Sequence, residues 1–239
     1  MNKSALVTGA SRGIGKAIAT NLAKEGYDLH LICQNNIESL NEYAEKLRLS
    51  HNIKVKTYAG DVASYSFIKD VFSQIDHLDL AVNNAGISYV GLLQDMSEED
   101  WKNIVSVNLD SVFYVSKEAT KLMLSNHSGH IVNISSVWGC VGASMEVAYS
   151  TTKGGINSFT KALAKELAPS GIQVNALACG FIDTSMNAHL SEDDRAALLE
   201  EIPANRFGSP EDVAAALLSV VNGSSYMTGQ VISVDGGWI

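Results

Sequence analysis

The sequence predicts an α/β fold, one doubly wound parallel sheet of about seven strands forming a single domain. Three observations carry this. Short apolar runs alternate with longer amphipathic stretches, the pattern of repeated βαβ units. A glycine-rich turn follows the first apolar run and opens a helical pattern. The 239 residues are 46% hydrophobic and 18% charged, enough to bury one sizeable core and too apolar to stay disordered.

The elements follow in order. Ser4–Val7 is a short apolar strand ending at Thr8-Gly9. Arg12–Lys24 reads as a helix, with Ile14, Ala17, Ile18 and Leu22 at helical spacing and Gly26 closing it. Asp28–Cys33 is the second strand, Ile37–Leu49 the second helix and Ile53–Ala59 the third strand. A helix near Phe67–Ile75 leads to a fourth strand at Leu78–Val82. Glu98–Ser125 has the apolar positions of one extended helix, and His130–Ile134 is the fifth strand. Ala148–Leu167 is another long helix, Ile172–Ala178 the sixth strand and Gln230–Val234 the last. Crossovers between parallel strands are right-handed. The stretch Phe181–Phe207 departs from the alternation, holds a short helix at Glu192–Glu201, and is the candidate for a mobile substrate lid. No linker, repeat or low-complexity segment divides residues 1–239, so the expectation is one dinucleotide-binding catalytic domain.

Composition excludes several classes. A net charge of -9 argues against nucleic acid and against an anionic membrane surface. No apolar run approaches the roughly 18 residues of a membrane span. Met1-Asn2-Lys3-Ser4 leads straight into the first strand, without the leader pattern of a signal peptide. Cys33, Cys140 and Cys179 form no C-x-x-C pair or Cys/His cluster, so neither a disulfide framework nor a metal site is expected. The compartment reads as reducing cytoplasm.

The chemistry begins at Thr8–Gly15. Gly9, Ser11, Arg12, Gly13, Ile14 and Gly15 lie between the first strand and first helix. Backbone there has to turn tightly, approach a pyrophosphate and let the helix pack on the sheet. The helix N-terminus then offers free N–H groups and the positive end of its dipole. The spacing is G-x-x-x-G-x-G rather than G-x-G-x-x-G, and a ligand-free glycine turn is the alternative; the strand before and helix after favour the cradle. An acid at the end of the second strand would repel a ribose 2′-phosphate. Here Cys33-Gln34-Asn35-Asn36 holds none before Glu38, and Arg12 sits in the loop, so NADP(H) is favoured. Gln34 stands where a second basic residue would be wanted.

Tyr149 and Lys153 are four apart on one helix face, and Ser136 lies just past the fifth strand. Hydride addition to a carbonyl makes an alkoxide that needs a proton. A lysine ammonium beside a tyrosine favours its phenolate and lowers a pKa that is otherwise about 10. A serine hydroxyl can bond the substrate oxygen as charge develops. Alone, such a Tyr/Lys pair is a common solvated helix-face arrangement; with the glycine cradle and Ser136 it reads as proton-transfer machinery.

These motifs resemble the classical short-chain dehydrogenase/reductases over essentially the whole chain. The matching residues are Thr8–Gly15, Asp61-Val62, Asn83-Asn84-Ala85-Gly86, Asn108, Ser136, Tyr149, Lys153, Asn175, Gly180–Thr184 and Val234-Asp235-Gly236-Gly237. The resemblance implies a Rossmann fold with Asn108, Ser136, Tyr149 and Lys153 catalytic. Asp61 would contact the adenine, with Val62 beside it. Asn83, Ala85 and Gly86 would line the cofactor cleft, although a stabilised strand exit explains that stretch as well. Asn108 would hold a water that relays protons to Lys153; the alternative is an Asn bonding helix backbone and bending it. Lys153 would also bind the nicotinamide ribose, and Ile182 and Thr184 the carboxamide side. Ser136 and Tyr149 would contact substrate.

Through Asn133-Ile134-Ser135-Ser136, Gly180–Thr184, Ile202-Pro203 to Arg206 and Met227-Thr228-Gly229-Gln230 the chain most resembles, within the family, 3-oxoacyl-[acyl-carrier-protein] reductases, which implies NADPH-dependent reduction of a 3-oxoacyl thioester in fatty acid biosynthesis, with acyl carrier protein as partner. Two features depart from that pattern. Cys179 stands where a proline is usual before Gly180, and is either a packed side chain or a reactive thiol. His127 and Ser170 stand where arginines would meet an acidic carrier protein, with Lys117, Lys121, Lys161 and Lys165 as possible substitutes. A free steroid, sugar alcohol or simple ketone is therefore the alternative substrate. Met186, His189 and Leu190 are candidates for its wall, as is Trp138. A cofactor-sensing regulator without turnover is disfavoured because Tyr149 and Lys153 are both present. The resemblance also implies a homotetramer built through Glu98–Ser125, Ala148–Leu167 and the segment ending at Ile239.

Overall fold

Helices cover both faces of the sheet, so its central strands are buried almost throughout and read as near-continuous apolar runs. The computed structural model describes residues 2–187 and 190–239. The strands are β1 (Ser4–Thr8), β2 (Asp28–Cys33), β3 (Val55–Ala59), β4 (Leu80–Asn83), β5 (Gly129–Ser136), β6 (Ile172–Cys179) and β7 (Val231–Val234). They form one sheet in the order β3-β2-β1-β4-β5-β6-β7, with every pair parallel. The expected single α/β domain with seven strands is what is found.

Strand alternation divides the core into two layers. Ala5 and Val7 face one way, joining Ile18 and Leu22 of α1 (Gly13–Lys24), Leu40 of α2 (Ile37–His51) and Val213 and Leu217 of α9 (Pro210–Val221). Leu6 faces the other, with Ile68 of α3 (Tyr65–Phe72), Val115 and Met123 of α5 (Ser111–Asn126) and Leu167 of α7 (Val147–Leu167). Fully burying a Leu or Ile side chain contributes about 1.5–3 kcal/mol, so these two layers are the main source of stability.

Several boundaries differ from expectation. The third helix begins earlier, at Tyr65, because the Ser64 hydroxyl accepts the Phe67 N–H (3.4 Å) and caps it there. The long stretch is not one uniform helix. It runs as α4 (Glu98–Val105), a π-helical turn at Ser106–Asp110, and then α5. Strand β5 extends to Ser136, so that residue ends the strand instead of following it. Between β5 and α7 lies a one-turn helix, α6 (Trp138–Val141), that periodicity does not reveal. The segment 181–207 contains a 3-10 turn at Ser185–Asn187 and α8 (Glu192–Glu201).

Helix α9 was not expected from the apolar pattern, yet its start is written in the sequence. Ser209 is the N-cap, Pro210 opens the first turn, and Asp212 completes a reciprocal capping box. The Ser209 hydroxyl accepts the Asp212 N–H (3.2 Å), and the Asp212 carboxylate accepts the Ser209 N–H (2.7 Å). Arg206 also bonds that carboxylate, which holds Asp212 well below the usual carboxylate range. Helix α9 packs on α1, the helix that follows the glycine loop. Replacing Ser209 with Ala removes one half of the box. The expected loss is about 1 kcal/mol, read as a lower urea midpoint with an unchanged slope; an unshifted midpoint would contradict this account of the cap.

Candidate active site

Strands β1 and β4 are neighbours, and the sheet is extended in opposite directions from them. Connections therefore diverge at their carboxyl ends and leave a crevice there. The glycine loop fills its floor. Gly9 (φ +65°) and Gly13 (φ +53°) take backbone conformations that side chains disfavour. A Cβ at Gly15 would collide with the Gly9 carbonyl oxygen, so α1 approaches the loop only because that position is glycine. No side chain caps the first turn of α1 and no acid lies in it, which leaves its N–H groups and dipole to a bound anion.

One residue that the sequence reading quoted but did not assign holds this loop in place. Asn84 donates from Nδ2 to the carbonyls of Thr8 (2.9 Å) and Gly9 (3.2 Å). In return, the Thr8 hydroxyl oxygen accepts the N–H groups of Asn84 (3.0 Å) and Ala85 (2.9 Å). Its neighbour Asn83 points the other way. Asn83 Nδ2 donates to Ser116 Oγ (3.1 Å) and Asn133 Oδ1 (2.8 Å), and Asn133 donates on to Thr160 (2.8 Å). The side chain expected to line the cleft is instead the top of a buried polar ladder beneath it, because successive residues face opposite sides of a strand.

The cleft has a volume of about 470 Å³. Arg12, Gln34, Asp61 and Val62 line it, together with Ser11, Gly13 and Ile14 of the glycine loop. Arg12 and Gln34 are exposed, and no carboxylate stands at the end of β2. Asp61 turns one carboxylate oxygen to the Ala63 N–H (2.9 Å). Ala85 and Gly86 line the cleft after β4, and Ile182 and Thr184 line it after β6. Thr184 lies against the glycine loop, its Cγ2 3.5 Å from where a Gly13 Cβ would be. Ile182 is held by a bridge to Gly208.

Ser136, Tyr149 and Lys153 meet in the same cleft, brought there by the end of β5 and one face of α7. Lys153 is 4% exposed, and its Nζ donates to the Ile134 carbonyl (2.8 Å), 5.5 Å from the centre of the Tyr149 ring. Burial pushes its pKa down to about 8. Burial pushes the Tyr149 phenol up; Cys179 and Glu146 act the same way, and a hydrogen bond to Ser136 opposes them. The expected lowering of Tyr149 by Lys153 is absent from this geometry. The ammonium faces a carbonyl, and loss of water outweighs it. Cys179 pairs with Ser136 across the β5–β6 register. Burial pushes its thiol up to about 12, which keeps it protonated and makes it a packed side chain rather than a nucleophile.

Asn108 is fully buried behind this group, inside the π-helical turn. Its Oδ1 accepts the Ile87 N–H (2.8 Å), and its Nδ2 donates to the Ile87 carbonyl (2.9 Å) and to Thr152 Oγ1 (3.2 Å). It thus fastens the loop after β4 to α7, and its bonds go to other elements instead of its own helix. A Cβ at Gly86 would lie 3.3 Å from Asn108 Oδ1 and 3.7 Å from Lys153 Nζ, so both side chains border the space that this glycine leaves open.

Of the residues expected along the substrate wall, Met186, Leu190 and Trp138 line the cleft, and His189 lies outside the described residues. Glu146 and Trp238 line it as well and were not anticipated. His127 and Ser170 precede β5 and β6, at the edge of the sheet opposite the cleft, and a Cβ at Gly171 would lie 2.7 Å from the His127 carbonyl oxygen. Among the described residues no His/Cys/Asp/Glu group fit for a metal occurs, and no helix is long and apolar enough to cross a membrane.

Comparison with known proteins agrees with this geometry. The family described as short chain dehydrogenase matches residues 3–195. The chain is 43% identical over 240 residues to the 3-oxoacyl-[acyl-carrier-protein] reductase FabG of Aquifex aeolicus (strain VF5), covering 98% of this chain and 96% of the relative. It is 40% identical over 240 residues to the uncharacterized oxidoreductase YmfI of Bacillus subtilis (strain 168), covering 100% and 99%. A solved 3-oxoacyl-[acyl-carrier protein] reductase from Brucella melitensis ATCC 23457 superposes with a TM-score of 0.93 at 33% identity, covering 99% of this chain and 91% of that one. Identity at this level along essentially the whole chain places the protein in the short chain dehydrogenase family, as an oxidoreductase that acts on a carbonyl or alcohol with a nicotinamide cofactor.

Proposed function

We propose that the protein reduces a 3-oxoacyl thioester on acyl carrier protein to the 3-hydroxyacyl form, using NADPH. The observation that carries this is the meeting of Ser136, Tyr149 and buried Lys153 in the cleft floored by the glycine loop. When bound, the nicotinamide supplies a hydride to the carbonyl carbon. Ser136 donates a hydrogen bond to the substrate oxygen as it becomes negative. Tyr149, kept protonated by burial through neutral pH, passes its phenolic proton to that oxygen. Lys153, with its pKa near 8, restores the proton to Tyr149. Asn108 positions Lys153 by tying Ile87 to Thr152 on α7.

The first turn of α1, with Gly9, Ser11, Gly13, Ile14 and Gly15, receives the pyrophosphate. Asp61 and Val62 flank the adenine, and Ala85, Gly86, Ile182 and Thr184 enclose the nicotinamide half; Asn83 supports this wall from below. Arg12 attracts the 2′-phosphate, with no acid at the end of β2 to repel it. Segment 181–207 acts as the lid. Exposed Trp101, Phe113 and Leu124 on α4 and α5 and Val147 on α7 support a homotetramer packed through these helices. Reduced cysteines with no disulfide among them fit the cytoplasm.

The relatives named as carrier-protein reductases support the substrate. A second reading, a free ketone or alcohol, is favoured by His127 and Ser170 where arginines would meet an acidic partner. The deciding assay follows NADPH oxidation with acetoacetyl-carrier protein and with a panel of free ketones; turnover of free ketones alone would overturn the carrier-protein reading. NADPH is expected to show a lower KM than NADH, and Arg12→Ala to narrow the gap; an NADH preference would reverse the cofactor assignment. Tyr149→Phe is expected to cut kcat by about 10²–10⁴-fold at saturating NADPH. Lys153 carries its charge below about pH 8 and loses it above. The kcat/KM for reduction should therefore fall as pH rises through that value, and a flat profile to pH 10 or so would remove Lys153 as the proton source.

A further inference from the structure

The chain past β7 turns back onto the cleft. Asp235 leads into Gly236 and Gly237, at φ +70° and +83°. Its carboxylate accepts the Gly237 N–H (3.0 Å) and the Ile239 N–H (3.2 Å). A Cβ on Gly236 would sit 3.0 Å from Ala204 Cβ and from Ile202 Cγ2, and the Ala204 N–H donates to the Gly236 carbonyl (3.0 Å). A turn pinned on both sides in this way directs Trp238 to the cleft wall. There its ring meets Trp138 edge to face, centroids 4.9 Å apart. Its indole N–H donates to Glu201 at the end of α8 (3.2 Å). Trp138 stands two residues beyond Ser136, whose hydroxyl oxygen accepts its backbone N–H (3.2 Å), so the aromatic corner is tied to the Ser136 part of the cleft.

We propose that Trp138 and Trp238 form the wall that sets substrate length: the corner accepts a short apolar chain next to the reacting carbonyl and stops longer ones. This rests on the substrate reading given above. Two large rings line the same cleft as Ser136 and Tyr149, on the wall where the chain past β7 returns. Both rings are held in place, Trp138 by the one-turn helix after Ser136 and Trp238 by the Asp235 turn and Glu201. Each methylene that an apolar pocket accepts or refuses typically changes kcat/KM by about 10–200-fold, so a wall of this kind shows as a steep length dependence.

The test is a chain-length ladder with NADPH and the N-acetylcysteamine thioesters of acetoacetate, 3-oxooctanoate and 3-oxodecanoate. The wild-type protein, W238A, W238L and W138V are compared. The wild-type kcat/KM is expected to fall from acetoacetyl to 3-oxooctanoyl. W238A and W138V are expected to raise the 3-oxooctanoyl-to-acetoacetyl ratio by about tenfold or more, with W238L intermediate and NADPH affinity unchanged in all three. An unchanged ratio in every variant that binds NADPH normally overturns the wall, as does a wild-type preference for 3-oxodecanoyl. W238L keeps apolar bulk at the turn, so the question is still decided if W238A fails to fold. If no thioester is reduced but free ketones are, the substrate reading alone fails. The same ladder run with 2-butanone and 2-octanone then decides the wall.

Discussion

The clasp between Thr8 and Asn84-Ala85 is the contact on which the rest of the site depends. It joins the carboxyl ends of β1 and β4, the two strands from which the sheet is built outward in opposite directions. Every donor in it satisfies a backbone or hydroxyl group that would otherwise be stranded at a strand exit. By holding Gly9 on one side and Gly86 on the other, it fixes the distance between the phosphate cradle and the face of α7. The buried ladder Asn83–Asn133–Thr160 repeats the device one layer down, linking β4, β5 and α7. A buried polar network of this kind orients what stands on it because each member is bonded to the next.

Electrostatically the site is defined by what burial does to groups of opposite kind. The same loss of water that makes the Lys153 ammonium readier to release its proton makes the Tyr149 phenol hold its own more tightly. Their proton affinities are thereby rearranged without direct pairing between them. Cys179 obeys the same rule, which is why a sulfur beside the cleft does not amount to a nucleophile.

Much of this was legible in the residues. Apolar periodicity located each strand of the sheet, since buried parallel strands carry their signal in short contiguous runs such as Leu80–Val82. Motif spacing brought Ser136, Tyr149 and Lys153 together before any coordinates did. What escaped has physical reasons. Whether Asn83 or Asn84 faces the cleft depends on strand phase, which a four-residue motif does not state. The π-helical turn at Ser106–Asp110 differs from an α-helix by one residue of phase, below what an apolar pattern resolves. Trp238 reaches the cleft through a turn whose partners, Ile202 and Ala204, are distant in sequence. Helix α9 is signalled by its cap, Ser209-Pro210-Glu211-Asp212, and not by the strand–helix alternation.

The wide turn around Asn108 has a consequence for how this helix tolerates change. An α-helix advances about 100° per residue, so the extra residue held in the π turn sets α5 back by that angle relative to α4. It is this offset that lets Asn108 face Ile87 and Thr152 while Val115 and Ala119 still pack against the sheet. Removing one residue anywhere between Ser106 and Asp110 would restore regular helix and unlock the two faces from each other. The stretch therefore behaves as a phase-setting joint, in which residue number is constrained as well as the identity of Asn108.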